Sequence, residues 1–229
     1  MKFKSLYEPL KNELQQIEEA LKDSIDAEHP IFRKSSLQLI EAGGKRIRPV
    51  FVLLSSQFGK ENRSQKDIKS VAVALELIHM ATLVHDDVVD DATLRRGNPT
   101  IKHTYDNRIA MYTGDYILAR ALEVVTTIEE AELHQVLSKT LVKVVEGEFD
   151  QLRDQYNLQQ NLRTYLQRIK RKTALLIATS CKLGAIAAGA KREHVRHLYQ
   201  YGYYVGMSFQ IIDDILDITA SPEQLGKPT

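Results

Sequence analysis

The stretch VAVALELIHMATLVHDDVVDD, Val71–Asp91, decides the fold class. It is apolar around most of a helical circumference, which marks a helix packed on nearly all sides, from about Ile68 to Asp91. Glu76 and His79 interrupt it before ~20 apolar residues accumulate, so it reads as a central helix of a globular fold rather than a membrane span. The same reading applies to TALLIATSCKLGAIAAGA (173–190), interrupted by Lys182.

The flanking sequence repeats the helical period. Leu6, Leu10, Leu14, Ile17, Leu21 and Ile25 recur every three or four residues with Lys, Glu and Gln between them, an amphipathic helix ended near His29-Pro30. IFRKSSLQLIEA stops at Gly43-Gly44, and Arg48-Pro49 reopens a helix that runs towards Gly59. Loop signals stand at Arg96–Pro99 and Tyr112–Gly114, with Asp115 as the expected start of YILARALEVVTTI. Further helices are expected over 129–156, 159–171, 172–189 and 192–219. No segment alternates with period two, so no strand is expected, and the chain reads as one all-α domain over 1–229.

Composition narrows the function classes. Thirty-one basic and 30 acidic side chains leave a formal charge of +1, which excludes a binder that works by bulk attraction to nucleic acid. Cys181 is the single cysteine, which excludes a disulfide framework or a four-cysteine zinc site and suits the reducing cytoplasm. The N-terminus carries charge throughout and has no signal-peptide core.

The charges are nevertheless segregated. LVHDDVVDD carries Asp86, Asp87, Asp90 and Asp91 at the end of the central helix; FQIIDDILDI carries Asp213, Asp214 and Asp217 late in the last one. Both contain D-D-x-x-D, which puts Asp86 with Asp90, and Asp213 with Asp217, on one helix face. One such motif is common on a solvated helix. Two of them, each ending a strongly apolar helix where acids repel one another and oppose the helix dipole, call for a neutralising partner. A hard divalent cation serves, because Mg²⁺ takes oxygen ligands and is usually shared with substrate phosphates. Three basic turns accompany them: Lys45, Arg46 and Arg48 in GGKRIRP, Arg95-Arg96, and Lys170–Lys172. Carboxylates plus Arg and Lys turns are what a metal-bridged diphosphate site requires.

GGKRIRP, LIHMATLVHDDVVDDATLRRGNPT, GDYILARAL, GEFDQ, KTALL and YVGMSFQIIDDILD, in this order and spacing, resemble the trans-isoprenyl diphosphate synthases. Within them the chain looks most like the large catalytic subunit of a bacterial two-component synthase. The resemblance implies an antiparallel helical bundle around a central cavity, with the two Asp-rich motifs facing each other at its mouth. It implies several Mg²⁺ ions held by Asp86 and Asp90 with Asp87 in support, and by Asp213, Asp214 and Asp217. Arg95, Lys172, Thr173 and Gln210 match positions that hold the allylic diphosphate; Lys45, Arg48, His79 and Arg96 match those that hold isopentenyl diphosphate. Asp86, Asp87, Asp90, Lys172 and Asp213 are the expected catalytic set. Without the resemblance, His79 reads as a core histidine and Thr173 and Gln210 as ordinary residues; His85 and Asp91 read as orienting groups.

The implied reaction is ionisation of the allylic diphosphate, attack by the double bond of isopentenyl diphosphate, and proton loss to pyrophosphate, with water excluded. Implied partners are farnesyl diphosphate as allylic substrate and a small regulatory subunit in a heteromer, or a second copy in a homodimer. No nucleic acid is expected; the lipophilic product is compatible with transient membrane contact. Small Ala81 and Thr82 above Leu75, which lies roughly 16 Å down the helix from Asp86, point to a medium- or long-chain product. The family continues beyond Gly226-Lys227, so the chain is expected to be truncated at its C-terminus. Two alternatives are a non-catalytic partner-binding subunit and a class I terpene cyclase. GGKRIRP with the second D-D-x-x-D argues against the cyclase.

Overall fold

The computed structural model describes residues 8–95, 97–154 and 159–219. Arg96 and the Gly226-Lys227 pair lie outside them. A 3-10 turn (Glu8–Leu10) leads into helices α1 (Lys11–Asp23), α2 (Pro30–Glu41), α3 (Ile47–Ser56) and α4 (Gln65–Val89). A hairpin of two-residue strands, β1 (Leu94–Arg95) and β2 (Asn98–Pro99), precedes α5 (Ile101–Thr104), α6 (Asn107–Thr126), α7 (Ala131–Asp154) and α8 (Leu162–Ile169). A π-helical turn, Lys170–Ala174, joins α8 to α9 (Leu175–Ala187), and α10 (Arg192–Thr219) completes the described chain. The fold is all-α.

Three details differ from the sequence expectation. The antiparallel hairpin pairs Leu94 with Pro99 and Arg95 with Asn98, too short a ladder to show any alternation. Gly114 does not break a helix: α6 begins at Asn107, eight residues before the expected start at Asp115, with Asp106 accepting the Ile109 N–H at 2.7 Å as N-cap. The Gly114 position is small because α4 approaches there; a Cβ on it would lie 2.6 Å from His85 Cδ2. Third, KRKT does not separate two helices. The π turn carries the chain through it, a local widening that recurs at functional sites.

The described residues fall into two compact units. One takes those up to Val50 together with Lys69–Ile128; the other takes Phe51–Ile68 and those from Glu129 on. In the first, Ile17, Leu21, Ile40, Leu75, Ile78 and Ile117 are fully buried. Val84, Ile101 and Ala110 form a cluster packed by Leu39, Val88 and Ile109. Ser35 and Thr113, both buried, share a hydroxyl–hydroxyl bond of 2.9 Å that ties α2 to α6. In the second, α9 is buried continuously from Leu175 to Cys181, and Thr140 of α7 bonds Thr179 of α9 at 3.0 Å.

By length and composition α4 could cross a bilayer despite Glu76 and His79. Two thirds of its most apolar window (67%) is buried inside the protein.

Candidate functional site

In the first unit the site is built from the loop after α2, the C-terminal half of α4 and the hairpin. The loop leaves α2 through Gly43 at φ +69° and reaches α3 through Arg46 at φ +46°, a left-handed conformation unfavourable for a residue with a Cβ. Arg46 is 7% exposed. Its Nε and Nη2 donate to the two oxygens of Glu18, Nη2 also to Ile40 O at 2.9 Å, and Nη1 to Glu76 Oε1 at 3.1 Å. Burial alone would lower the pKa of this guanidinium; Glu18 and Glu76 outweigh it and hold the value above the ordinary one. Of the three bases in GGKRIRP, Arg46 is therefore an interior group, whereas Lys45 is exposed and Arg48 half-buried.

A cavity of about 790 Å³ opens beside this loop. Its wall includes Arg33 and Leu37 of α2, His79, Leu83 and Asp87 of α4, and Arg95 of β1. It thus brings His79 and Arg95 together; Lys45, Arg48, Asp86 and Asp90 are not part of its wall.

Asp87, 4% exposed, accepts from Arg95 Nε at 2.8 Å and Nη2 at 2.7 Å on one oxygen. That arrangement points the guanidinium and satisfies an otherwise costly buried carboxylate. Asp86 is half-buried and Asp90 exposed. The Asp90 N–H donates to Asp86 O at 2.8 Å, so the helical turn continues and keeps the two side chains on one side of α4. His85 Nε2 stands 3.2 Å from Asp115 Oδ1. Asp91, at φ +52°, is ion-paired with Lys102, whose hydrogen bond holds the carboxyl below its usual range. Both thus engage neighbours in the first unit.

In the second unit the π turn presents Lys172 and Thr173. Lys172 Nζ donates to Gln151 Oε1 at 2.7 Å and lies 3.9 Å from Glu148. Arg171 pairs with Asp150 and stands 3.5 Å from Glu146. Thr173 Oγ1 donates to Gln210 Oε1 at 2.6 Å, and Gln210 Nε2 to Asp214 Oδ1 at 2.7 Å. Tyr165 donates to Asp214 Oδ2 at 2.7 Å, and burial, then this bond, push its pKa up to about 12. Thr173, Gln210 and Asp214 therefore form one hydrogen-bonded chain, closed by Tyr165. Asp213 and Asp217 lie exposed on α10. Sequence reasoning assigned nothing to Tyr165, Gln151 or Glu148. GEFDQ contained the last two, at a spacing of three that places them on one face of α7.

The model of the polyprenyl synthetase family matches residues 29–229. The chain belongs to that family. It is 60% identical over 228 residues to heptaprenyl diphosphate synthase component 2 of Bacillus subtilis, covering all of this chain and 65% of that protein. The chain therefore spans just under two thirds of that relative's length. Among solved structures, heptaprenyl diphosphate synthase from Staphylococcus aureus superposes with a TM-score of 0.92 at 48% identity, over 96% of this chain and 69% of that one. Polyprenyl synthase from Caulobacter crescentus, complexed with calcium and isoprenyl diphosphate, gives 0.92 at 31% identity, over 97% and 67%.

Members of this family are in general Mg²⁺-dependent prenyltransferases. The donor chemistry of this polyprenyl synthetase chain fits such an ion, since both motifs offer carboxylate oxygens one helical turn apart. Among the described residues no three His, Cys, Asp or Glu side chains are gathered to hold a metal unaided.

Proposed function

We propose that this chain carries the catalytic machinery of a trans-polyprenyl diphosphate synthase, in one isoprenoid synthase domain. It joins isopentenyl diphosphate to an allylic diphosphate such as farnesyl diphosphate, giving a medium- or long-chain all-trans product. The observation that carries this reading is the buried Asp87 holding Arg95 at the cavity that His79 also lines, directly after Asp86 and before Asp90. The cavity volume is in the range of small-molecule sites. The family match and the relatives' names support the reading.

Asp86 and Asp90 in the first unit, and Asp213, Asp214 and Asp217 in the second, are the residues that would hold Mg²⁺. Bound there, the ion supplies Lewis-acid stabilisation of a leaving diphosphate. Arg95, oriented by Asp87 in the first unit, and Lys172, oriented by Gln151 in the second, each offer fixed positive charge suited to a diphosphate on which negative charge develops. Thr173 and Gln210 in the second unit offer hydrogen bonds to a diphosphate. Lys45, Arg48 and His79, with Arg96, bind isopentenyl diphosphate and hold its double bond for attack. No side chain is needed as a dedicated base, because the departing pyrophosphate takes the proton.

A small regulatory subunit is the proposed partner, supported by the name "component 2" of the Bacillus relative. Neither a purely partner-binding subunit nor a terpene cyclase is favoured, since a structural subunit has no use for two carboxylate clusters and three basic turns. The test is incubation with farnesyl diphosphate, isopentenyl diphosphate and Mg²⁺, with and without candidate small subunits, following pyrophosphate release. Turnover that Asp86→Ala abolishes, with the helical circular-dichroism signal intact, is the expected result. No turnover from folded protein under any combination overturns the reading.

A further inference from the structure

We propose that Arg46, clamped between Glu18 and Glu76, is a positioning residue that sets both halves of the isopentenyl diphosphate site at once. The proposal rests on the reading above and adds a residue whose side chain does not itself meet the substrate. Arg46 lies one residue after Lys45 of the loop and two before Arg48 in the first turn of α3. Its backbone is left-handed at φ +46°, where glycine rather than arginine is favoured. Four hydrogen bonds from the buried guanidinium hold it there. Its carbonyl accepts the Val50 N–H at 3.1 Å, so the turn that directs Lys45 and Arg48 feeds straight into the first turn of α3.

The other end of the clamp is Glu76, 4% exposed. It precedes His79 by three residues on α4, hence on the same face. Arg46, Glu76 and His79 all line the cavity. The loop and the first turn of α3, which carry Lys45 and Arg48, are thereby fastened to the helical turn that carries His79.

Charge counts separate positioning from plain stabilisation. One guanidinium faces two carboxylates, leaving the group one negative charge in excess, and Glu76 Oε2 is buried without a hydrogen-bond partner. Buried ion pairs seldom stabilise beyond a well-packed apolar replacement, and an uncompensated carboxylate oxygen is worse still. A net negative group beside a site for an anionic substrate also opposes binding. Neither cost serves folding, but a rigid fork fixed from two elements serves geometry.

The test uses the purified chain with two variants. Arg46→Lys keeps the charge and loses the fork; Glu76→Gln keeps the Oε1 acceptor and loses the excess charge. Calorimetric titration with isopentenyl diphosphate, without metal, is run beside thermal unfolding, and KM for each substrate is measured. Arg46→Lys is expected to weaken isopentenyl diphosphate binding and raise its KM on the order of 10-fold or more, the cost of a misplaced binding group. The KM for the allylic substrate should stay within about twofold, a difference far below the tenfold effect sought. Glu76→Gln, which keeps the acceptor of the fork and removes the charge that opposes an anion, should retain or gain thermal stability and leave the isopentenyl diphosphate KM unchanged or lower. Isopentenyl diphosphate binding left unchanged in folded Arg46→Lys overturns the proposal alone, as does a rise shared equally by both substrates or a raised isopentenyl diphosphate KM in Glu76→Gln. Absence of binding by the unsubstituted folded chain overturns the site reading and this proposal with it. Should Arg46→Lys unfold, a third variant, Glu76→Ala, removes the acceptor of the fork on α4 and is expected to raise the isopentenyl diphosphate KM in its place, and an unchanged KM overturns the proposal.

Discussion

Gly114→Ala isolates how α4 is held just before Asp86 and Asp87. Gly114 lies within α6 at an ordinary helical φ, so alanine there gains roughly 0.5–1 kcal/mol of helix propensity. Against this, the new methyl would stand 2.6 Å from His85 Cδ2 and 3.1 Å from Cε1, with Nε2 nearer still. Ordinary contact begins at about 3.5 Å, so the imidazole must move by most of an ångström. The ring ends a short side chain whose Nε2 is buried and stands 3.2 Å from Asp115 Oδ1, so there is little room for it to swing away. Overpacking of this kind costs about 1–3 kcal/mol, giving a net destabilisation of about 0–2.5 kcal/mol.

The sign reverses once the ring is removed. In a His85→Ala background the methyl meets no imidazole, and Gly114→Ala should stabilise by its propensity alone. A double-mutant cycle in urea unfolding should therefore show a coupling of about 1–3 kcal/mol between positions 85 and 114. Additivity within about 0.5 kcal/mol would refute the close approach as the reason for glycine. The measurement needs neither substrate nor metal.

Three further outcomes follow. Tyr165→Phe removes the donor to Asp214 Oδ2 and should cost about 1.5–3 kcal/mol, the range for a hydrogen bond to a charged group. Because the folded pKa of Tyr165 is about 12 against an ordinary 10, that stabilisation is fully present below pH ~10 and lost as pH rises towards ~12. A variant-minus-parent difference that grows across this window would contradict the assignment. Cys181 is buried with its thiol pushed up to about 11 by burial, which outweighs a hydrogen bond with Ser55. A thiol-specific reagent at pH 8 should therefore label it only after denaturation, and rapid labelling of native protein would count against the α9 packing. Ala81→Phe puts an aromatic at a fully buried position (1% exposed) five residues before Asp86. It should shorten the prenyl product in a mass-spectrometric assay, and unchanged chain length would exclude this helix face as the ruler.

What the sequence discloses depends on the distance over which a residue's reason acts. The long helices are legible because their cause is local. An apolar stripe read over Ile68–Asp91 appears as α4 over Gln65–Val89, and the final helix spans Arg192–Thr219, as its pattern predicts. Residue types in the two D-D-x-x-D motifs are legible for the same reason. Gly114 is misread because nothing within its own helix reveals the histidine from α4 that excludes a Cβ. GGKRIRP shows three charges in a turn but not which way each faces. That choice is made by Glu18 and Glu76, 28 residues before and 30 after Arg46. Glu76 does stand out in the sequence as a charge inside an apolar run, an anomaly with no visible partner. Asp87 and Arg95 are similarly opaque, since eight residues separate them across a turn whose hairpin is too short to register as strand. The pattern is physical: hydrophobic periodicity is written locally, whereas a buried charge must be neutralised by whatever the fold brings to it. A sequence therefore exposes the anomalous charge and withholds its counter-ion, and that counter-ion decides whether a basic residue stays at the surface, like Lys45, or is turned inward, like Arg46.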